Sequence, residues 1–291
     1  MRGLVVLLAL LLPLSLSAAE KLKVVTSFSI LADMTAHIGG EHIQLSNMVG
    51  ADADAHTYEP TPDDAKALLK ADVVIENGLG FEPWLDRLIA STASKAKLVV
   101  ASRGVLPRAL DQGGQSIPDP HAWNNLANAE LYVNNIAKAL SSADPAHAQD
   151  YSQNSQAYLQ KIYPLLALAK QQLGNLPAGS RNIVTSHDAF GYLGQAYGIR
   201  FIAPQGLSTE SEPSAAEVAG LIRQVRQQHI KAVFVENIKD SRLLEQIAQE
   251  SGAQIGGTLY SDALATSGPA SSFIGLFEHN LKTLHQALAQ P

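Results

Sequence analysis

Four side chains in this 291-residue chain have types and surroundings that suit metal chemistry. They are His56 in Asp54-Ala55-His56-Thr57-Tyr58-Glu59-Pro60, His121 in Asp119-Pro120-His121-Ala122-Trp123, His187 in Ser186-His187-Asp188-Ala189-Phe190, and Asp262 in Tyr260-Ser261-Asp262-Ala263-Leu264. Each follows a β-branched run or sits in the loop after one, and open α/β sheets place their ligands at the carboxyl ends of strands. Three neutral imidazoles and one carboxylate complete a tetrahedral shell for a borderline cation such as Zn²⁺. The intervals are 65, 66 and 75 residues, far too long for a local finger motif, so any such shell must be assembled by the fold. Taken singly, a histidine in such a place is more often hydrogen-bonded or on the surface than a ligand.

The elements that must do the assembling are visible as hydrophobic patterning. Short β-branched runs alternate with amphipathic stretches, which predicts βα units and mainly parallel sheets flanked by helices. Strands are expected at 23–26, 43–48, 73–76 and 98–101, then again at 182–185, 200–202, 232–236 and 254–257. Helices are expected at 30–38, 62–70 and 82–91, and later at 214–228, 241–250 and 271–289. Between the two series, 144–173 has no strand pattern and no glycine, and Asp144-Pro145 is a favourable cap and first-turn pair. One long connecting helix, bent near Pro164, is expected there. The reading is an α/β protein of two lobes joined by that helix: a leader at 1–19, an N-terminal lobe at 20–143, the connector at 144–175 and a C-terminal lobe at 176–291.

The leader is read from Arg2, the apolar run Leu4 to Leu12, Pro13 and the small residues up to Ala19, the order of a cleaved secretory signal peptide. That run is shorter than the roughly 20 residues needed to span a bilayer. With no cysteine there is neither a disulfide framework nor a thiolate metal site, nor a cysteine for lipid attachment, which favours a periplasmic location. A formal net charge of −6 gives no basis for a nucleic-acid partner.

The segments His56 to Pro62 (HTYEPTP), DPHAW, SHDAFGY, Ser208 to Ser214 (STESEPS) and the VFVEN to YSDAL region resemble the periplasmic solute-binding proteins of zinc and manganese ABC importers, in the same order over nearly the whole chain. The resemblance implies two α/β lobes joined by one long helix, with one metal ion bound between them by His56, His121, His187 and Asp262. It implies an inner-membrane ABC permease with its ATPase as partner and a binding protein that is not an enzyme; a monomer is expected. Manganese members commonly carry glutamate where this chain has His187, and a nitrogen-rich shell suits Zn²⁺ better than Mn²⁺. Zinc is therefore the expected cargo, with manganese or a mixture of zinc, manganese and iron as the alternative. Two departures stand out. The histidine-rich acidic loop of many zinc members is replaced by the short, histidine-free Val105 to Pro118, and Asn124-Asn125-Leu126 replaces a proline that often follows the tryptophan.

Neighbouring residues carry competing roles. Glu59 could orient His56 or cap the helix at Pro62, Asp188 could support His187 or start a helix, and Glu210 and Glu212 read as turn and cap residues before Pro213-Ser214. Trp84 and Trp123 read as packing residues, and the other histidines as surface or capping groups. The rival from another class is a zinc hydrolase, which requires an open fourth position and a general base. No His-Glu-x-x-His motif is present, and Asp262 would close the shell.

Overall fold

The computed structural model describes residues 20–112, 114–206, 209 and 212–289. The leader assigned to 1–19 and the cap role offered for Glu210 fall outside the described residues.

In the first half, β1 (Leu22–Phe28), β2 (Ile43–Val49), β3 (Val73–Glu76) and β4 (Lys97–Val100) form one sheet in the order β2-β1-β3-β4. Every pairing in it is parallel. The crossovers are α1 (Ser29–Gly39), α2 (Pro62–Lys70) and α3 (Pro83–Thr92). α2 begins where Thr61 accepts from the Asp64 backbone while the Asp64 carboxylate reaches back to Thr61, a reciprocal cap with Pro62 at the first turn. Thr61 is thus the cap, and Glu59 is not. β3 and α3 are joined by Asn77-Gly78-Leu79-Gly80. A side chain on Gly78, whose φ is +80°, would meet Val100 Cγ1 at 2.4 Å, so the turn requires glycine there.

The stretch 105–118, read as a plain loop, is a hairpin: β5 (Ala109–Gln112) pairs antiparallel with β6 (Gln115–Pro118). α4 (Ala129–Ala143) follows, the helix expected after Trp123 but given no bounds in the sequence reading, burying Tyr132, Val133, Ile136 and Leu140. α5 (Ala148–Gly174) is the long connector, 27 residues with Pro164 inside it. It packs on α1 and α4 of the first half and on α6 (Gly191–Tyr197) and α9 (Phe273–Leu288) of the second.

The second half repeats the scheme. β7 (Asn182–Val184), β8 (Arg200–Ile202), β9 (Ala232–Glu236) and β10 (Gln254–Leu259) form a parallel sheet ordered β10-β9-β7-β8. Counted within its own half, each sheet runs second, first, third, fourth. The remaining crossovers are α7 (Ala215–Gln227), capped by Ser214 with Glu217, and α8 (Arg242–Ser251). One continuous apolar core runs from β1 and α1 through α4 and α5 to Phe190, Phe273 and α9, and a smaller one lies under α7 and α8. Among the described residues no helix is long and apolar enough to cross a membrane.

Candidate metal centre

The four residues chosen from the sequence converge. One ligand atom from each of His56, His121, His187 and Asp262 lies within 4.8 Å of every other, and among the described residues no further cluster of this kind occurs. His56 comes from the loop after β2, His121 from the turn after β6, His187 from the turn after β7 and Asp262 from the loop after β10. Asp262 Oδ2 stands 2.9 Å from His187 Nε2, 3.1 Å from His56 Nε2 and 3.7 Å from His121 Nε2, and the His56 and His121 Nε2 atoms are 3.2 Å apart. Tetrahedral coordination with Zn–N bonds of about 2.0–2.1 Å sets neighbouring donors about 3.3–3.4 Å apart. The observed separations straddle that value.

Two imidazoles are fixed from behind. His121 Nδ1 donates to Asp119 Oδ1 at 2.9 Å, and the same oxygen accepts the His121 backbone N–H at 3.0 Å. Asp119 Oδ2 accepts from Arg108 at 2.8 Å. His187 Nδ1 lies 2.7 Å from Glu236 Oε2, while Glu236 Oε1 accepts the backbone N–H groups of Ser186 and His187 at 2.8 and 3.0 Å. At His121 the proton held on Nδ1 by Asp119 leaves the Nε2 lone pair free for a cation, the arrangement metal-bound histidines require, and Glu236 stands at ion-pair distance from Nδ1 of His187. The side chains of His121, His187 and Asp262 are wholly buried, and Asp262 Oδ1 has no hydrogen-bond partner. A buried carboxylate oxygen without a partner is costly unless a cation faces it. The donor set therefore fits a metal ion.

The charges are tightly coupled. Burial alone would depress the His187 imidazole, but the carboxylates of Glu236 and Asp262 outweigh it and hold its pKa well above the usual range. Burial would likewise raise Asp262, yet His187 and His121 hold it well below that of an ordinary carboxylate. His56 is lowered, because burial exceeds the help it receives from Asp262. Asp119 is also held low, since His121 and Arg108 overcome the cost of burying it.

Aromatic packing fixes the remaining freedom. Phe81 stands edge-on to His56 at 4.9 Å and packs on Trp123, and the Trp123 indole donates to Ser261 O at 2.8 Å, tying the first half to the Asp262 loop. Trp84 donates to Ala55 O at 2.9 Å. Behind His121, the buried Glu82 carboxyl accepts from Ser27 Oγ, Asn77 N and Gly78 N, and Asn77 Nδ2 donates to Pro120 O. Burial pushes Glu82 up to about 8.

The sequence reading missed these supports. Asp119 and Asp54 each stand two residues before a histidine and accept its backbone N–H, so the repeated Asp-x-His spacing was a usable signal. Glu236 was marked only by its place at the end of β9. Asp188 is not the partner of His187 and does not cap α6, which starts at Gly191; it lines a cleft with Arg108 and Arg200. Glu59 and Glu212 are exposed.

Residues 24–287 match the profile of the zinc-uptake complex component A, a periplasmic family known as ZnuA. The chain belongs to the ZnuA family. It is 35% identical over 274 residues to the iron-binding protein YfeA of Yersinia pestis, covering 94% of this chain and 88% of that one. It is equally identical over 282 residues to the manganese ABC transporter substrate-binding lipoprotein PsaA of Streptococcus pneumoniae, 35% with 94% and 91% covered. Among solved structures it is similar to the periplasmic zinc-binding protein TroA of Treponema pallidum, with a TM-score of 0.87, 29% identity, and 93% of this chain and all of that one covered. A manganese-bound mutant of the periplasmic metal-binding protein of Candidatus Liberibacter asiaticus superposes at 0.85, with 31% identity and 92% of this chain covered. As a ZnuA-family protein the chain is a substrate-binding component of a metal ABC importer, and it has the two-lobe fold of TroA with α5 between the lobes.

Proposed function

We propose that this ZnuA-family protein captures a single Zn²⁺ ion in the periplasm, through Nε2 of His56, His121 and His187 and the carboxylate of Asp262, and hands it to a membrane permease driven by its ATPase. Residues 1–19 would direct the export, and the working lobes would be 20–143 and 176–291 about the connector 144–175. The observation that carries the reading is the convergence of three Nε2 atoms on one buried carboxylate oxygen, at separations of 2.9 to 3.7 Å. Three nitrogens and one oxygen favour zinc over manganese, which prefers oxygen donors. The names of the relatives favour a second reading, manganese or iron as cargo of the same site. A hydrolase would need an open coordination position, and Asp262 stands at the fourth corner.

Calorimetric titration of the chelator-stripped protein with Zn²⁺ and Mn²⁺, alongside His187→Glu and Asp262→Ala, tests this. One-to-one zinc binding weakened by either change is expected. Tighter manganese binding by the unaltered protein would replace the cargo, and no binding of either ion would sink the reading.

A further inference from the structure

The loop that carries His56 is held by more than its own backbone. It belongs to the first half, yet most of its polar partners belong to the second. Asp52, in the left-handed region at φ 54°, sends its N–H to Leu264 O at 2.8 Å. Its carboxylate accepts from Asn237 Nδ2 at 3.0 Å and from both the backbone N–H and the hydroxyl of Thr266 at 2.9 Å. Two residues on, Asp54 Oδ2 accepts from Thr209 Oγ1 at 2.5 Å and lies 3.5 Å from Lys239 Nζ, while Asp54 Oδ1 accepts the backbone N–H of His56 at 2.9 Å. Lys239 in turn donates to Thr209 O at 2.8 Å.

The placement of these partners matters. Asn237 follows Glu236, the carboxylate beside His187, and Leu264 and Thr266 stand just beyond Asp262, so the clasp joins the His56 loop to the segment that carries Asp262 and to the strand end that supports His187. His56 is also the one member of the four whose side chain keeps any exposure, 7% against none for the other three. The loop that presents it is therefore the thinnest wall of the site.

We propose that Asp52 and Asp54 are positioning residues for the metal: by clasping the His56 loop to Asn237, Thr266, Thr209 and Lys239 they hold the site shut, and release proceeds by their letting go. This rests on the metal-binding reading above. The holding groups are carboxylates, and hydrogen bonds to charged groups are the stronger kind, so removing two of them should open the loop measurably more often.

The test measures zinc release from the full chain into excess chelator for wild type, Lys239→Met, Thr266→Val, their double variant, and the conservative Lys239→Arg and Thr266→Ser. Trp84 reports on the loop directly, through its bond to Ala55 O and its edge contact with Tyr58 at 5.0 Å, and Trp84→Phe identifies its share of the emission. The expected result is an off-rate about tenfold or more faster in the double variant, a shifted Trp84 emission in the same variant, and near-normal values in the conservative pair. An unchanged off-rate in the double variant overturns the inference, as does equal acceleration by all variants including the conservative ones. Zinc titration of the wild type runs alongside: no binding there overturns the proposed function and this inference with it, whereas binding with an unchanged off-rate overturns the inference alone.

Discussion

Substituting Asp119 by asparagine, which preserves size and removes one charge, puts the support of His121 to a strict test. Asp119 is wholly buried and both of its oxygens are committed, Oδ1 to the His121 backbone and ring N–H groups and Oδ2 to Arg108. An amide offers one acceptor where two are needed. If its oxygen faces Arg108, its NH₂ confronts the His121 backbone N–H, and Nδ1 must become an acceptor. The ring proton then moves to Nε2, the atom that should bind the metal. If its oxygen faces His121, the NH₂ meets a guanidinium that can only donate. The first outcome costs metal affinity and the second costs stability. Loss of such a supporting carboxylate reduces metal affinity about 10- to 100-fold, or roughly 1.4–2.7 kcal/mol, and leaving the partly exposed Arg108 guanidinium without its acceptor costs a further ~1 kcal/mol of fold stability. Chelator competition measures the first and thermal unfolding of the metal-free protein the second. The decisive arm is the pair Asp119→Asn with Arg108→Met. Without the guanidinium the amide oxygen is free to face His121, so the pair should bind metal more tightly than Asp119→Asn alone. Affinity unchanged in the single variant, or no recovery in the pair, would refute the tautomer argument.

Three further outcomes are expected. Metal affinity should fall as pH drops, because protons compete for the imidazoles; Glu236 and Asp262 raise the proton affinity of His187, so the fall should begin at higher pH than for an ordinary histidine. Titrations that give one affinity from pH 8 to about 5.5, across the unperturbed histidine value, would contradict the shell. Gly191→Ala should lower both melting temperature and metal affinity, since the added Cβ would sit 2.0 Å from Arg108 Nη1 and 2.8 Å from Asp119 Oδ2, an overpacking cost of about 1–3 kcal/mol. Thr61→Ala should destabilise the fold by about 0.5–2 kcal/mol through loss of the α2 cap, with zinc affinity unchanged in the same titration.

The fold class and the four converging residues were legible because they leave local marks. β-branched runs announce parallel strands, and the histidines sit in the loops just beyond them. The long connector announced itself by lacking strand pattern and glycine. What escaped was set by tertiary contact. Glu236 closes an ordinary strand, and only the position of β9 beside β7 brings its carboxylate to His187. Arg108 reads as a surface cation until the hairpin β5–β6 and the bare backbone of Gly191 bring it onto Asp119. The hairpin itself carried a signal in the sequence, two consecutive glycines at 113 and 114, a pair type favoured in tight hairpin turns. α4 has the ordinary i, i+3, i+4 spacing at Tyr132, Val133, Ile136 and Leu140, yet its bounds were not read beside the more conspicuous connector. The common strand order of the two halves leaves no trace in residue identity, because parallel sheets constrain hydrophobicity rather than sequence.

The seating of α5 across both halves bears on how the molecule comes apart. At about 1.5 Å per residue its 27 residues span roughly 40 Å, and its buried side chains belong to the same apolar core as β1 and α9. Neither lobe keeps a finished interior when the other is removed, so a cut before or after α5 should yield fragments that do not melt cooperatively. The intact chain should instead melt in one transition, and a metal held between the lobes should raise it as a whole by the logarithm of ligand excess over dissociation constant. The thermal transition of the whole protein is then itself a gauge of how full the site is.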